Sequence, residues 1–163
     1  MIATGDSDIF PAGANDSKIL ARHHRLMFQE IWDESGLVYR ASDLDLMEQA
    51  YHQKLQKELE TENCSAWVIR TDKCVAASGA ISVLSMVPVP NDPSCQVAYL
   101  HSIYTEREYR GKGFAGRLVD RAIVFCKDNG IKRIFLNASS AGRHLYEKVG
   151  FQLADNAMRL LIP

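Results

Sequence analysis

The segment Arg110-Gly111-Lys112-Gly113-Phe114-Ala115 sets two glycines and two cationic side chains directly ahead of a run with helical apolar spacing. The first amides of a helix have no partner inside it, and the aligned peptide dipoles leave partial positive charge there. Small residues let the backbone approach an anion closely, so this pattern suits a phosphate or, better, a pyrophosphate. The same glycines would also serve a tight strand-to-helix joint with solvated basic side chains, and by themselves they do not choose between the two. The phosphate loop GxxxxGK[ST] is absent. A dinucleotide site would need an acid at the end of the next strand, and Ile134-Phe135-Leu136 leads instead to Asn137.

Proton-handling groups lie just upstream. Gln96 to Thr105 reads as a strand, so Tyr99 and His101, two residues apart, share one face. An imidazole with an ordinary pKa of about 6.5 can accept a proton at neutral pH, directly or through water, whereas a phenol near about 10 is a weak acceptor. His101 is equally readable as a structural histidine beside an apolar strand. Glu106 is a further carboxylate, expected beyond the strand in solvent. Cys64, Cys74, Cys95 and Cys126 are widely separated and include no CxxC pair, so they are read as reduced and structural, with no metal.

The 163 residues are 47% hydrophobic and 24% charged, with a formal net charge of -1, which points to a single globular domain spanning 1–163. Basic residues are dispersed along the chain, which argues against a nucleic-acid or membrane partner. No apolar stretch approaches the roughly 20 residues needed to span a bilayer. The first thirty residues carry Asp6, Asp8, Asp16 and Glu30 rather than a basic start and an apolar run, so a cytoplasmic location is the expectation.

The elements that must position these groups follow from periodicity. A short strand near Ile9 precedes a helix capped by Asp16 or Ser17, with Leu20, His24, Met27 and Ile31 on one face and Gly36 as its stop. Ser42 and Asp45 suggest a capping box for a second helix running to about Thr61, striped by Leu44, Met47, Tyr51, Leu55 and Leu59. Strands are expected at Ala66–Arg70 and Val75–Met86, the latter bending at Ser78-Gly79, and at Gln96–Thr105. A helix from Gly111 to Asn129, a strand from Ile131 to Leu136 and a short helix from Ser139 or Ser140 through Lys148 come next. A hairpin turning at Asp155-Asn156 then leads to a last strand, Met158–Ile162. This order predicts an α/β (α+β) fold, a mixed, mostly antiparallel sheet flanked by helices on both faces.

Arg110-Gly111-Lys112-Gly113-Phe114-Ala115 resembles the R/Q-x-x-G-x-G/A signature of the GCN5-related N-acetyltransferase (GNAT) family. Ile103-Tyr104-Thr105 resembles the strand before that signature. Asn137-Ala138-Ser139-Ser140, Gly142-Arg143, Leu145-Tyr146-Glu147-Lys148 and Gly150-Phe151 resemble the family's later strand-helix segment and its closing Y-x-x-x-G-F pattern.

The resemblance implies acetyl-CoA, or a related acyl-CoA, held without a metal in a V-shaped gap between Gln96–Thr105 and Ile131–Leu136. The backbone of Ile103, Tyr104 and Thr105 would follow the pantetheine arm or meet the oxyanion. The amides from Gly111 through Ala115, aided by Arg110 and Lys112, would wrap the pyrophosphate, with Asn137 and Arg143 as further contacts. A neutral primary amine would attack the thioester directly, and Tyr146 would protonate the departing thiolate. Members that use a strand carboxylate as base place Glu where this sequence has Tyr99, which leaves Tyr99, His101 and Glu106 as the candidates. The acceptor expected is a small-molecule amine, with a protein amino group as an alternative. A non-catalytic acyl-CoA sensor is the reading that Tyr99 keeps open. The C-terminal strands would suit a homodimer.

Overall fold

A computed structural model describes residues 9–154 and 156–162. Five strands form one sheet in sequence order: β1 (Ile9–Pro11), β2 (Cys64–Arg70), β3 (Val75–Ser85), β4 (Gln96–Thr105) and β5 (Ile134–Phe135). The first four pair antiparallel, and β4 and β5 pair parallel across the connection made by α3 (Phe114–Asp128). The helices α1 (Ser17–Ser35) and α2 (Ala41–Glu58) cover one face, and α3 with α4 (Arg143–Val149) covers the other.

Strand alternation divides the core between these faces. Trp67, Ile69, Ala77, Ile81, Ala98 and Leu100 meet Leu118, Val119 and Ala122 of α3. Ala66, Val68 and Ala80 meet Leu20 of α1 and Tyr51 and Leu55 of α2. Because β2 is covered on both sides, its sequence reads as a nearly unbroken apolar run rather than an alternating one.

Several boundaries differ from the expectation, each for a long-range or conformational reason. Gly111 and Gly113 have φ of 77° and 78°, which a right-handed helix cannot include, so α3 starts at Phe114 and not Gly111. The acid expected to cap α2 is used elsewhere. Asp45 pairs with Arg25 of α1, which also reaches Glu48 at 3.1 Å, and α2 begins at Ala41 without a side-chain cap. β5 shrinks to two residues, although Arg133 before it is firmly held: its carbonyl accepts from the Ala98 amide at 2.9 Å and its Nε donates to buried Asp92 at 2.6 Å.

The expected last strand is absent among the described residues. From Phe151 onward there is no strand, and Met158, Leu160, Leu161 and Ile162 are 82–99% exposed. A strand at 158–162 would need an edge of similar length, and β5 offers only two residues. Of the expected turn, Asp155 lies outside the described residues.

Candidate active site

β4 and β5 form a fork. They pair at Ala98↔Ile134 and Tyr99↔Phe135, after which β4 continues to Thr105 with no partner on that side among the described residues. The divergence coincides with a bulge. Ala80 opposes His101 and Ser78 opposes Tyr104, so the single residue Gly79 faces two, Ser102 and Ile103. An extra residue bends and twists its strand. Ser102 carries the bend at φ 58°, the only positive φ of a non-glycine among the described residues. Gly79 makes room for it, since a Cβ there would lie 2.4 Å from the Ile103 side chain.

The open end of the fork leads to the glycine loop. The first hydrogen bond of α3 runs from the Arg117 amide to the Gly113 carbonyl at 3.1 Å, so the amides of Phe114, Ala115 and Gly116 have no acceptor within the helix, and no side chain caps it. Lys112 lies over the Tyr109 ring at 4.9 Å, and Phe114 stacks on the same ring. Thr105 Oγ1, at the end of β4, is buried with no hydrogen-bond partner among the described residues. Together these unsatisfied donors and the unpaired strand edge fit an elongated ligand with an anionic group at the loop. Gly111, Gly113 and Gly116 stand at dinucleotide spacing, and the missing acid after β5 distinguishes this loop from a dinucleotide turn.

Arg110 is committed elsewhere. Its guanidinium bonds Glu30 of α1 at 2.7 Å and the Thr105 carbonyl at 3.0 Å, and sits 5.5 Å from the Tyr104 ring centre. Glu30 also accepts from Arg107 at 3.1 Å and from the Tyr104 hydroxyl at 3.0 Å. Burial alone would raise the Glu30 carboxyl, but these bonds, led by Arg110, hold it below the usual carboxylate range. Arg110 thus anchors the loop to α1 with its side chain.

Tyr99 and His101 do share a face, stacked with ring centroids 5.2 Å apart. Asn137 donates to the Tyr99 hydroxyl at 3.1 Å. Both nitrogens of His101 have partners: Nε2 meets Ser82 Oγ at 2.9 Å, and Nδ1 meets Ser102 Oγ at 3.0 Å and the Tyr51 hydroxyl at 3.3 Å. Ser102 Oγ also meets His24 Nδ1 at 2.8 Å. Burial, with His24 and Lys54 nearby, lowers the His101 pKa to about 4, and burial lowers His24 to about 4, so both are neutral at pH 7. Glu106 is not free in solvent: it pairs with Arg22 at 2.5 Å and lies 3.3 Å from buried His23. Tyr146 lies on α4 against the α3-side core, edge-on to Phe151, and its burial raises its pKa, so it holds its proton. Arg143 is exposed, with Glu147 at 3.8 Å.

A model described as the acetyltransferase (GNAT) family matches residues 25–151. The chain belongs to this family. Solved GNAT-like folds include a GCN5-related N-acetyltransferase from Ralstonia eutropha JMP134, with TM-score 0.83 and 22% identity over 94% of this chain and 97% of that one. A predicted acetyltransferase from Clostridium acetobutylicum, solved with acetyl-CoA, has TM-score 0.79 and 24% identity over 94% of each chain. A ribosomal-protein-alanine N-acetyltransferase from Brucella melitensis biovar Abortus 2308 has TM-score 0.66 and 20% identity over 95% and 99%. Comparison with curated proteins gives no significant match. For this GNAT chain, the spacing in the sequence marked the loop and the Tyr99–His101 face, and the family resemblance implied the gap between the two strands. It missed Glu30, Ser102, Tyr51 and the pairing role of His24, whose partners lie 50 to 80 residues away. A signal the sequence did carry was His24 on the apolar stripe of α1, a histidine turned toward the sheet.

Proposed function

We propose that the protein transfers an acetyl group from acetyl-CoA to a primary amine of a small molecule by direct attack. One observation carries this reading: the fork between β4 and β5 opens directly onto a helix start whose amides have no helical acceptor. The amides of 111–116 hold the pyrophosphate, Lys112 adds charge, and the unpaired edge of β4 at Ile103, Tyr104 and Thr105 receives the pantetheine amides. The acyl group then lies toward the closed end of the fork, beside the bulge.

There the amine nitrogen forms a bond to the thioester carbon, the carbon–sulfur bond breaks, and the amine proton must leave. His101 is neutral and hydrogen-bonded on both sides, which suits it to pass a proton along Ser102 and His24 rather than to take it alone. A backbone amide at the bulge, Ile103 or Tyr104, faces the developing oxyanion. Tyr146 gives its proton to the thiolate and regains one from water. Asn137 orients Tyr99.

The test follows free CoA over time with acetyl-CoA and a panel of amines. Acceptor-dependent release is expected. Tight CoA binding with no acceptor-dependent release across a broad panel favours the sensor, and release with peptide amino groups alone favours a protein acceptor.

A further inference from the structure

The closed end of the fork is built from aromatic rings. Tyr99 and Phe135 form the last cross-strand pair before the strands part, stacked with centroids 4.9 Å apart and planes at 26°. Tyr99 stacks in turn on His101, and Tyr51 of α2 meets His101 edge-on at 6.0 Å. Ala98 and Leu100 point toward α3, so Tyr99 and His101 open onto the α1 and α2 side. Phe135 is 43% exposed, a large ring left accessible beside the position where transfer would occur.

The chemistry of this wall is neutral. Among the described residues, the polar partners of these four rings are Asn137, Ser82 and Ser102, and none is a carboxylate. Lys54 acts on His101 and Glu58 on Tyr51, and these two opposite charges are paired with each other. The acids Glu30, Asp33, Glu106 and Glu108 instead line a cavity of about 320 Å³ beyond Tyr104, at the other end of β4. Glu30 and Glu106 there already hold arginines.

A polycation bound at the aromatic end would gain only a weak cation–π attraction for an ammonium group resting on an exposed ring, and its further charges would find no carboxylate hydrogen-bonded to these rings. A single amine attached to a flat apolar group would lay that group on the exposed Phe135 ring and has only one ammonium group to deprotonate before attack. Resting on the acetyl-transfer reading, we propose that the acceptor is a monoamine bearing an aromatic or flat apolar substituent, which lies against Tyr99 and Phe135, and not a polyamine or aminoglycoside.

The experiment compares kcat/KM for 2-phenylethylamine, butylamine, spermidine and kanamycin by CoA release, with acetyl-CoA binding measured separately by calorimetry. The aromatic amine is expected to be preferred over butylamine by about tenfold, the size of a ring-stacking contribution. Phe135→Leu, which keeps apolar bulk without a ring, should erase most of that preference, and its unfolding midpoint serves as the check on folding. Spermidine or kanamycin used as well as 2-phenylethylamine, or a preference unchanged in Phe135→Leu, would overturn the proposal while leaving acetyl transfer standing. Failure to bind acetyl-CoA, or no release with any amine, would overturn the transfer reading and this proposal with it.

Discussion

Ser102 occupies a conformation that costs a non-glycine residue about 1 kcal/mol or more, and its hydroxyl is what makes the position worth holding. One hydroxyl hydrogen cannot serve two acceptors, so either His24 or His101 donates its Nδ1 proton to Ser102, and the three side chains form one directional chain. Ser102→Ala keeps the backbone strain and deprives two buried imidazoles of a partner, so a loss of about 1 to 3 kcal/mol in urea unfolding is expected. Ser102→Gly also removes the hydroxyl but relieves the backbone, and it should unfold later than Ser102→Ala; the reverse order would show that the positive φ at 102 carries no strain. Tyr146 belongs to the same scale. Tyr146→Phe should slow acetyl transfer more than it weakens CoA binding, and unchanged turnover would remove Tyr146 as the thiol acid.

At the scale of elements, the loop from Arg110 to Gly113 links three units: β4 through the Thr105 carbonyl, α1 through Glu30, and α3 through its free first turn. Gly113→Asp sets a carboxylate at the proposed pyrophosphate site, and CoA affinity should fall. Gly113→Ala separates the strain at φ 78° from that charge and should cost stability of about 1 kcal/mol with a smaller loss of affinity. Glu30→Gln loosens the anchor, so calorimetry should give CoA binding about threefold to tenfold weaker, the cost of ordering one more anchoring side chain on binding. Tighter binding would instead mean that the released Arg110 reaches the phosphate.

For the whole molecule, three histidines are folded in neutral form. Burial lowers His24 and His101 to about 4; it also lowers His23 to about 4, with Glu106 opposing the shift and Arg22 assisting it. Their pKa values are depressed in the folded state, so above about 6.5 they are neutral whether folded or unfolded and favour neither. As pH falls from about 6.5 toward 4, the unfolded chain takes protons that the folded one refuses, and each such group costs up to about 1.4 kcal/mol per pH unit. The urea midpoint should therefore drop steeply between pH 7 and pH 4.5. Replacing His24 with Gln should flatten that slope, and an unaltered slope would show that His24 is already charged in the fold.

Periodicity and turn chemistry act over a few residues, and what they govern was legible in the sequence. The stripes of α2 and α3, the alternation that sets Tyr99 beside His101, and the glycine loop before a helix all depend on neighbours along the chain. The mixed sheet with helices on both faces follows from the order of those elements. Arg110 read as a phosphate ligand because its partner Glu30 lies 80 residues earlier, and no local pattern joins the two. Asp45 read as a cap for the same reason, and Met158–Ile162 read as a strand because its composition does not reveal that β5 offers an edge only two residues long. Tertiary structure alone decided which charges are paired, which histidines are neutral and where the sheet ends, since each depends on burial and on groups brought together only by folding.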